Sequence, residues 1–197
     1  FDFTGINGSN NYQKIVVFFN FGNSGSGLSY YFDDIQLTSG APTLSLPLNF
    51  ESSALTYAFT NFGDATTTVI SNPNVGGINT SSKVGKMVKA NGAQTWGGSF
   101  ILLDSPINFS GLQKIKMKVW SPQAGIIVKL KLENAANSNV NTELDATTTV
   151  ANSWEELTYD FTGITNSNNY QRVVVFFNFG VVGNGSTYYF DDIRQTN

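Results

Sequence analysis

The chain has 197 residues, of which 41% are hydrophobic, 14% aromatic and only 13% charged, and its formal net charge is −3. This composition supports one sizeable core and argues against disorder, while the lack of a basic field excludes nucleic acid and anionic membranes as partners. The sequence has neither His nor Cys, which excludes Ser-His-Asp and Cys-His nucleophiles, His/Cys zinc sites and disulfides. No apolar run reaches the roughly 18 residues of a membrane-spanning helix, so no membrane insertion is expected.

An internal repeat is the clearest feature of the sequence. DFTGI at 2–6 returns at 160–164, VVFFNFG at 16–22 returns at 174–180, and YYFDDI at 30–35 returns at 188–193. About 25 of the first 37 residues are identical to the residues 158 positions later, with no insertion. Agreement of this extent at one offset indicates a repeat architecture. We therefore expect the chain to be a piece of a longer tandem array.

The repeat predicts three parts. Residues 1–37 are expected to be the C-terminal part of a preceding repeat, 38–43 a short linker with Gly, Pro and Ser, and 44–197 a complete module. The three strand-like segments in residues 1–37 are too little chain to bury their own aromatic side chains. Three alternatives stay open for them: they pack on a neighbouring module, complete another copy by strand exchange, or replace residues 159–197 in their own module.

Alternating apolar and polar residues predict the strands of the module. At 115–120, 126–133 and 172–179 every second residue is apolar and the residues between them are polar or mixed, as expected where one face of a sheet is buried. Asn-Pro, Gly-Gly and Asn-Gly pairs mark turns between the runs, and no useful stretch has helical periodicity. The sequence therefore predicts an all-β fold, an antiparallel two-sheet jelly-roll β-sandwich.

An ordered series of motifs resembles a known family. The motifs are LNFE at 48–51, TWGG at 95–98, VWSP at 119–122, NSW at 152–154 and YYFDDI at 188–193. In this order they are similar to non-catalytic carbohydrate-binding modules of the family 4 and family 9 type, above all those accompanying laminarinases and surface glycan-binding proteins of marine bacteria. The resemblance covers 44–197. It implies a module that binds polysaccharide without cleaving it, in an extracellular or bacterial cell-surface protein, often with a structural calcium ion.

Trp96 is the first candidate for ligand binding. It lies between Gln94-Thr95 and two glycines, in a loop that we expect to be flexible and to offer the indole little else to pack against. An exposed indole suits the CH-rich face of a sugar ring, and the amide of Gln94 suits its hydroxyl groups. The alternative is that Trp96 folds back as a plug on the end of the sandwich. Tyr57, Phe59 and Phe62 are weaker candidates for stacking.

Trp120 is the second candidate. It shares a strand face with two lysines, and we expect Lys129, Lys131 and Glu133 of a partner strand to complete a groove around it. The alternative is that Trp120 covers the sheet beneath a loop, while Trp154 is expected to pack in the core. Asn178 interrupts an apolar strand, where it faces a ligand or bonds to neighbouring backbone.

Asp191 and Asp192 are candidates for a metal site. The parity of Tyr189 and Ile193 points Asp191 inward, and a buried carboxylate is costly unless it is paired or binds a cation. Calcium takes carboxylate and carbonyl oxygens and needs neither His nor Cys. Glu51 is the expected second ligand, because the first and last strands of such sandwiches often lie side by side. The resemblance adds carbonyls near Ser82 and Lys83. The alternative is a carboxylate that bonds to loop amides.

The favoured function is binding of a neutral β-glucan such as laminarin, because a dense Lys/Arg cluster for an anionic glycan is absent. Four lysines, at 116, 118, 129 and 131, qualify this argument. No sequence motif of sandwich glucanases is present, so no enzyme activity is expected. The alternative function is structural: an adhesin or filament module that assembles with neighbouring copies of itself through strand exchange.

Overall fold

A computed structural model describes residues 9–10, 12–33, 35 and 42–197. The chain divides into two compact units, Phe1–Pro42 and Thr43–Asn197. In the first unit no strand forms among residues 12–33, and Phe18 and Tyr30 are exposed. The remaining part of the predicted strand-like segments, residues 1–8, 11, 34 and 36–37, lies outside the described residues.

The second unit contains ten strands. They are β1 (Phe59–Phe62), β2 (Ala65–Ser71), β3 (Lys83–Lys89), β4 (Gly98–Leu102), β5 (Lys114–Ser121), β6 (Ile127–Asn134), β7 (Asn141–Thr147), β8 (Ser153–Asp160), β9 (Tyr170–Phe177) and β10 (Thr187–Thr196). Sheet A has the order β1-β4-β9-β6-β7 and sheet B the order β2-β3-β10-β5-β8. All pairings are antiparallel, so the predicted two-sheet sandwich is confirmed. One short 3₁₀ turn, Asn166–Asn168, precedes β9, and the described residues form no helix of the length and apolarity needed to span a membrane.

The predicted alternation is confirmed in β5, where Ile115, Met117 and Val119 are fully buried and the residues between them are half-buried. The inner faces of the two sheets share one hydrophobic core. Phe177 of sheet A stacks on Tyr188 of sheet B, with their ring centroids 4.8 Å apart. Stacking and burial of this kind hold the two sheets face to face.

β9 is apolar on both faces. Val173, Val175 and Phe177 enter the core, so Val174 and Phe176 point to the outer face of sheet A. Both are nevertheless buried. Other side chains must therefore fold across β9 on its outer side, and this covered strip contains most of the predicted binding residues.

A loop, residues 72–82, covers part of the outer face of sheet B. The Trp154 indole N–H donates to the carbonyl of Asn74 at 2.7 Å, and the Asn72 amide donates to the carbonyl of Ser81 at 3.0 Å. Trp154 is buried, but its strand partner is Trp120, which alternates with the core residues of β5. The prediction of core packing for Trp154 is therefore wrong in its location, because the 72–82 loop buries this side chain instead.

Candidate functional site

Four aromatic side chains form a row across the outer face of sheet A. Trp96 stacks on Phe62 at 6.2 Å between centroids and an interplanar angle of 18°. Phe62 meets Phe176 edge to face at 5.6 Å, and Phe176 meets Phe179 edge to face at 5.4 Å. We call Trp96, Phe62, Phe176 and Phe179 the aromatic row. Trp96 is 51% exposed, so it offers solvent a large apolar surface at one end of the row.

Glycines make the row possible. Gly98 of β4 pairs with Phe62 of β1, and a Cβ at Gly98 would lie 2.7 Å from the Phe176 ring. Because Gly98 has no side chain, the Phe176 ring can lie across β4 and reach Phe62. A Cβ at Gly63, whose φ is +62°, would meet the Cα of Gly97 at 2.8 Å and the Trp96 ring at 3.1 Å.

The loop that carries Trp96 is tightly packed, so the expectation that the indole has little else to pack against is wrong. The backbone N–H of Gln94 donates to the Gly63 carbonyl at 3.0 Å, and the backbone N–H of Gly180 donates to the Thr95 carbonyl at 3.0 Å. The glycines allow close approach of two backbone segments rather than mobility. Trp96 is thus held on both sides while its ring stays exposed, and a rigid stacking surface loses little entropy on binding.

A buried lysine fastens this loop to the end of β9. Lys89 is 1% exposed, and its ammonium donates to the carbonyls of Thr95 at 3.2 Å, Phe177 at 3.3 Å and Asn178 at 2.9 Å. Burial lowers the pKa of Lys89. Three carbonyl dipoles compensate the buried charge, and in doing so they join the residue before Trp96 to the strand that carries Phe176.

The cations on this face of sheet A are paired with carboxylates. Lys129 lies 2.8 Å from Glu143 and 3.0 Å from Asp145, and Lys131 lies 2.9 Å from Glu133. Burial alone would lower the pKa of Lys129, but Glu143 and Asp145 outweigh burial and raise this pKa. The Lys129 ammonium also sits 4.6 Å from the centre of the Phe179 ring. Lys129 therefore borders the aromatic row, and Lys131 and Glu133 follow it on the same outer face of β6.

A third cation, Arg172 of β9, lies on the same face of sheet A. Arg172 lies 3.7 Å from Glu133, and its guanidinium is 5.2 Å from the centre of the Phe100 ring. The Lys129, Lys131 and Arg172 charges are matched by Glu133, Glu143 and Asp145. This strip is consequently polar at its border but carries no net charge from these six side chains.

The two predicted amides differ in their surroundings. Gln94 is exposed beside Trp96, as expected for a side chain that could reach a bound molecule. Asn178 has a left-handed φ of 49°, which ends the alternation of β9, and its side chain approaches the hydroxyl of Tyr188. Asn178 therefore supports the end of the sandwich, and its carbonyl accepts from Lys89.

Trp120 does not share this face. Its strand, β5, lies between β10 and β8 in sheet B, whereas β6 with Lys129, Lys131 and Glu133 belongs to sheet A. The prediction that these residues complete a groove around Trp120 is wrong. β5 and β6 follow each other in the chain but belong to different sheets. Trp120 instead meets Tyr189 edge to face at 5.3 Å and lines a cleft of about 280 Å³ with Trp154 and the 72–82 loop.

The remaining predicted lysines belong to an ion-pair network on sheet B. Lys116 lies 2.7 Å from Glu156, and Lys118 lies 3.2 Å from Asp192. Arg194 bonds to both Glu156 and Asp192. The lysine cluster that the sequence suggested for an anionic glycan is thus split between two sheets, and each member has a carboxylate partner.

The predicted metal residues are only partly brought together. The Glu51 carboxylate accepts from the Lys83 amide at 2.8 Å and from the Ser82 hydroxyl. Asp191 is fully buried, burial raises its pKa, and the side chains of Ser81 and Asn79 approach it. Glu51 and Asp191 therefore both lie against the segment 79–83. One oxygen of Asp191, Oδ2, has no hydrogen-bond partner.

Two details of the metal prediction are wrong. Asp192 has a φ of 50° and turns to Lys118 and Arg194, so its carboxylate is engaged on sheet B. The core-facing residues before it are Tyr188 and Phe190, not Tyr189, and a register shift after Asp191 restores Ile193 to the core. Among the described residues, no three acidic side chains converge as a metal cluster. Glu51 and Asp191 are the two predicted carboxylates that remain candidates for holding a hard cation, which takes oxygen ligands.

Sequence reasoning missed Phe176, Phe179 and Lys89. The signal for the first two was present, since residues 173–177 are apolar at five successive positions, which indicates a strand covered on both faces. Lys89 had no such signal, because a lysine at the end of a strand is normally expected to be solvated. Of the three weaker aromatic candidates, Phe62 joins the aromatic row, whereas Phe59 and Tyr57 pack against Phe50.

Comparisons with known proteins bear on the fold. No family model and no curated protein matches the sequence. An exo-β-agarase structure matches 79% of this chain with a TM-score of 0.58 and 10% identity, and this chain spans only 25% of that enzyme. The family 11 carbohydrate-binding module of Clostridium thermocellum, in complex with a β-1,3-1,4-mixed-linked tetrasaccharide, matches 79% of this chain and 94% of its own, with a TM-score of 0.53 and 16% identity.

A third similar structure comes from work on the promiscuous specificity of carbohydrate-binding modules of the β-sandwich superfamily. It matches 77% of this chain and 61% of its own, with a TM-score of 0.53 and 17% identity. Likeness at such low identity concerns the fold alone. The chain therefore contains an antiparallel two-sheet β-sandwich of the jelly-roll type, as these carbohydrate-binding modules do.

Proposed function

We propose that the second unit is a non-catalytic glycan-binding module and that the aromatic row is its binding surface. The single observation that carries the proposal is the exposed Trp96 ring at the end of the row, fixed by Phe62 and by two backbone contacts. A fixed indole matches the CH-rich face of a sugar ring, and the polar border supplies donors and acceptors for its hydroxyl groups.

The ligand we propose is a neutral β-glucan of the laminarin class. Lys129, Lys131 and Arg172 are each within 4 Å of a carboxylate, so an anionic glycan would have to displace these partners. A neutral chain needs no such exchange. The β-1,3-1,4-mixed-linked tetrasaccharide bound by the family 11 module, which has this fold, supports a neutral β-linked ligand.

The ion pairs of the carboxylates near the aromatic row support the proposal of binding without cleavage. A glycosidase needs one protonated acid and one free base or nucleophile on either side of the scissile bond. On the outer face of sheet A, Glu133, Glu143 and Asp145 are all engaged by cations. We therefore propose that they orient the lysines that border the aromatic row.

Affinity gel electrophoresis tests the function. The full chain is run through gels containing laminarin, mixed-linkage glucan, xylan, alginate or carrageenan, with and without calcium. We expect retardation by laminarin or mixed-linkage glucan and free migration in alginate and carrageenan. Retardation by the anionic polymers alone would contradict the neutral ligand, and free migration in all five gels would contradict glycan binding.

Free migration in every gel would favour a second candidate, a structural module in a tandem array that assembles by strand exchange. The observation behind it is that Ile15, Phe19 and Phe32 are exposed, whereas their repeat counterparts Val173, Phe177 and Phe190 are fully buried.

In either case we propose that residues 44–197 form the complete module and that the protein is extracellular or attached to a bacterial cell surface.

We further propose that Glu51 and Asp191 hold a structural calcium ion, with oxygens of the 79–83 segment. Asp191→Asn separates this proposal from a metal-free structure. With calcium bound, the substitution should lower the Tm and remove the effect of a chelator on the Tm. Without a cation it should raise the Tm or leave it unchanged, because it removes a buried charge. Thermal unfolding of both proteins, with and without EDTA, is the measurement, and Asp192→Asn is the matched control.

A further inference from the structure

The connection between β9 and β10 forms an edge of the proposed binding surface. We call residues 178–186 the rim loop. Its Gly180 amide donates to the Thr95 carbonyl at 3.0 Å, and its Gly183 amide donates to the Ala93 carbonyl at 2.9 Å. A Cβ at Gly183 would lie 2.1 Å from the Ala90 carbonyl, so no other residue fits there. The rim loop is therefore hydrogen-bonded to the loop of Trp96 just before Val181 and just after Val182.

Val181 and Val182 are the exposed apolar part of the rim loop. They are 50% and 56% exposed, and they lie between the two attachments to the loop of Trp96. Two neighbouring valines that no described part of the chain covers are an unusual choice at a loop tip, where Asn, Ser and Gly are the common residues. Because the rim loop is bonded to the Trp96 loop just before and just after these valines, the pair is a candidate for contact with a ligand on the aromatic row.

The internal repeat supplies a second, independent observation. Phe18 and Phe21 correspond to Phe176 and Phe179, and Gly22, Gly25 and Gly27 correspond to the three glycines of the rim loop. Gly22 and Gly27 also have the positive φ values of their counterparts Gly180 and Gly185. The two valines, in contrast, are replaced by Asn23 and Ser24. The repeat thus retains the aromatic residues and the backbone framework and changes the exposed pair between them.

We propose that Val181 and Val182 determine which neutral glycan the aromatic row accepts. This inference rests on the proposed function. An apolar edge favours a glycan that turns C–H groups toward the rim loop. It disfavours a glycan whose hydroxyl groups would lose water there without gaining a hydrogen-bond partner. Asn and Ser at the same positions would supply those partners. A copy of the repeat that carries Asn and Ser at these positions, as at residues 23 and 24, therefore selects a different glycan or a different face of one glycan.

The test exchanges the pair within the full chain. The double variant Val181→Asn/Val182→Ser is compared with the unaltered chain in gels of laminarin, mixed-linkage glucan and xylan, and dissociation constants are taken from the retardation. We expect the order of affinities to change, with at least one ratio between two glycans shifting about tenfold, and the Tm to stay within about 2 °C because both side chains are exposed.

A matched control is available on the opposite sheet. Val75 and Ile78 are likewise exposed in a loop, so Val75→Asn/Ile78→Ser should leave every affinity unchanged. If the unaltered chain binds and the rim variant keeps the same affinity ratios, the selectivity proposal is overturned and the proposed function stands. If the rim variant loses affinity equally for all glycans, the valines contribute contact but no selectivity, which also overturns it. Absence of binding by the unaltered chain overturns both.

Discussion

Replacing Trp96 by Ala is expected to weaken glycan binding at least thirtyfold while changing the Tm only slightly. The indole is the exposed end of the aromatic row, and truncation of a central aromatic anchor costs about 2 kcal/mol or more in affinity. Within the folded protein it forms one stacked contact, with Phe62, worth about 1 kcal/mol. Titration calorimetry with a laminarin oligosaccharide and thermal unfolding measure the two effects separately.

Trp120→Ala is the matched control for this experiment. Like Trp96, Trp120 contacts one aromatic ring, that of Tyr189 in an edge-to-face geometry, but it belongs to sheet B. We expect it to leave the affinity of the aromatic row unchanged. Equal losses in both variants would mean that the two sheets contribute to one binding event, which this geometry does not allow. A large drop in Tm for Trp96→Ala would instead show that Trp96 is a structural plug.

Lys89→Met is expected to lower both the unfolding free energy and the glycan affinity. The substitution fills similar space but removes three charge-assisted hydrogen bonds to Thr95, Phe177 and Asn178, at a cost of about 2–3 kcal/mol. The three carbonyls are then left facing an apolar side chain. Because Thr95 precedes Trp96, the loop loses one of its attachments and the indole its fixed position. Chemical denaturation and calorimetry measure the stability and the affinity.

Lys86→Met is the control on the same strand. Lys86 is half-buried on β3 and pairs with Tyr189 of β10 in register, away from the Trp96 loop. It should change neither quantity by more than a few tenths of a kcal/mol. The positioning role of Lys89 would be contradicted if Lys89→Met lowered the stability and left the affinity for laminarin oligosaccharides unaltered.

The fold was readable from the sequence because its strands obey one simple rule. In β5 and β6 every second residue is apolar, and each of those residues is buried in the core. Alternation specifies which face of a strand is buried. It does not specify which strands are neighbours, and that is where the sequence interpretation of Trp120 was wrong. β5 and β6 follow each other in the chain but enter different sheets, as the Greek-key connections of sandwiches allow.

Only part of the candidate site could be predicted from the sequence, because local patterns do not specify which strands are neighbours. Trp96, Lys129, Lys131 and Glu133 could be named from residue type and local pattern, and the structure brings all four to the outer face of sheet A. The contribution of Phe62 and Phe176 depends on two strands, β1 and β9, that are separated by more than a hundred residues and joined through β4. Their contact depends on the missing side chain of Gly98. No pattern within one strand predicts a side-chain contact that depends on three strands.

The most direct test of the central claim uses the three tryptophans of the chain as reporters. Each gives one indole N–H resonance in a ¹H–¹⁵N correlation spectrum, and single Trp→Phe variants assign them. On addition of a laminarin oligosaccharide, we predict that the Trp96 indole resonance shifts in a saturable manner while those of Trp120 and Trp154 stay in place. A saturable shift confined to Trp120 and Trp154 would place the ligand on sheet B and contradict the assignment of the aromatic row as the binding surface.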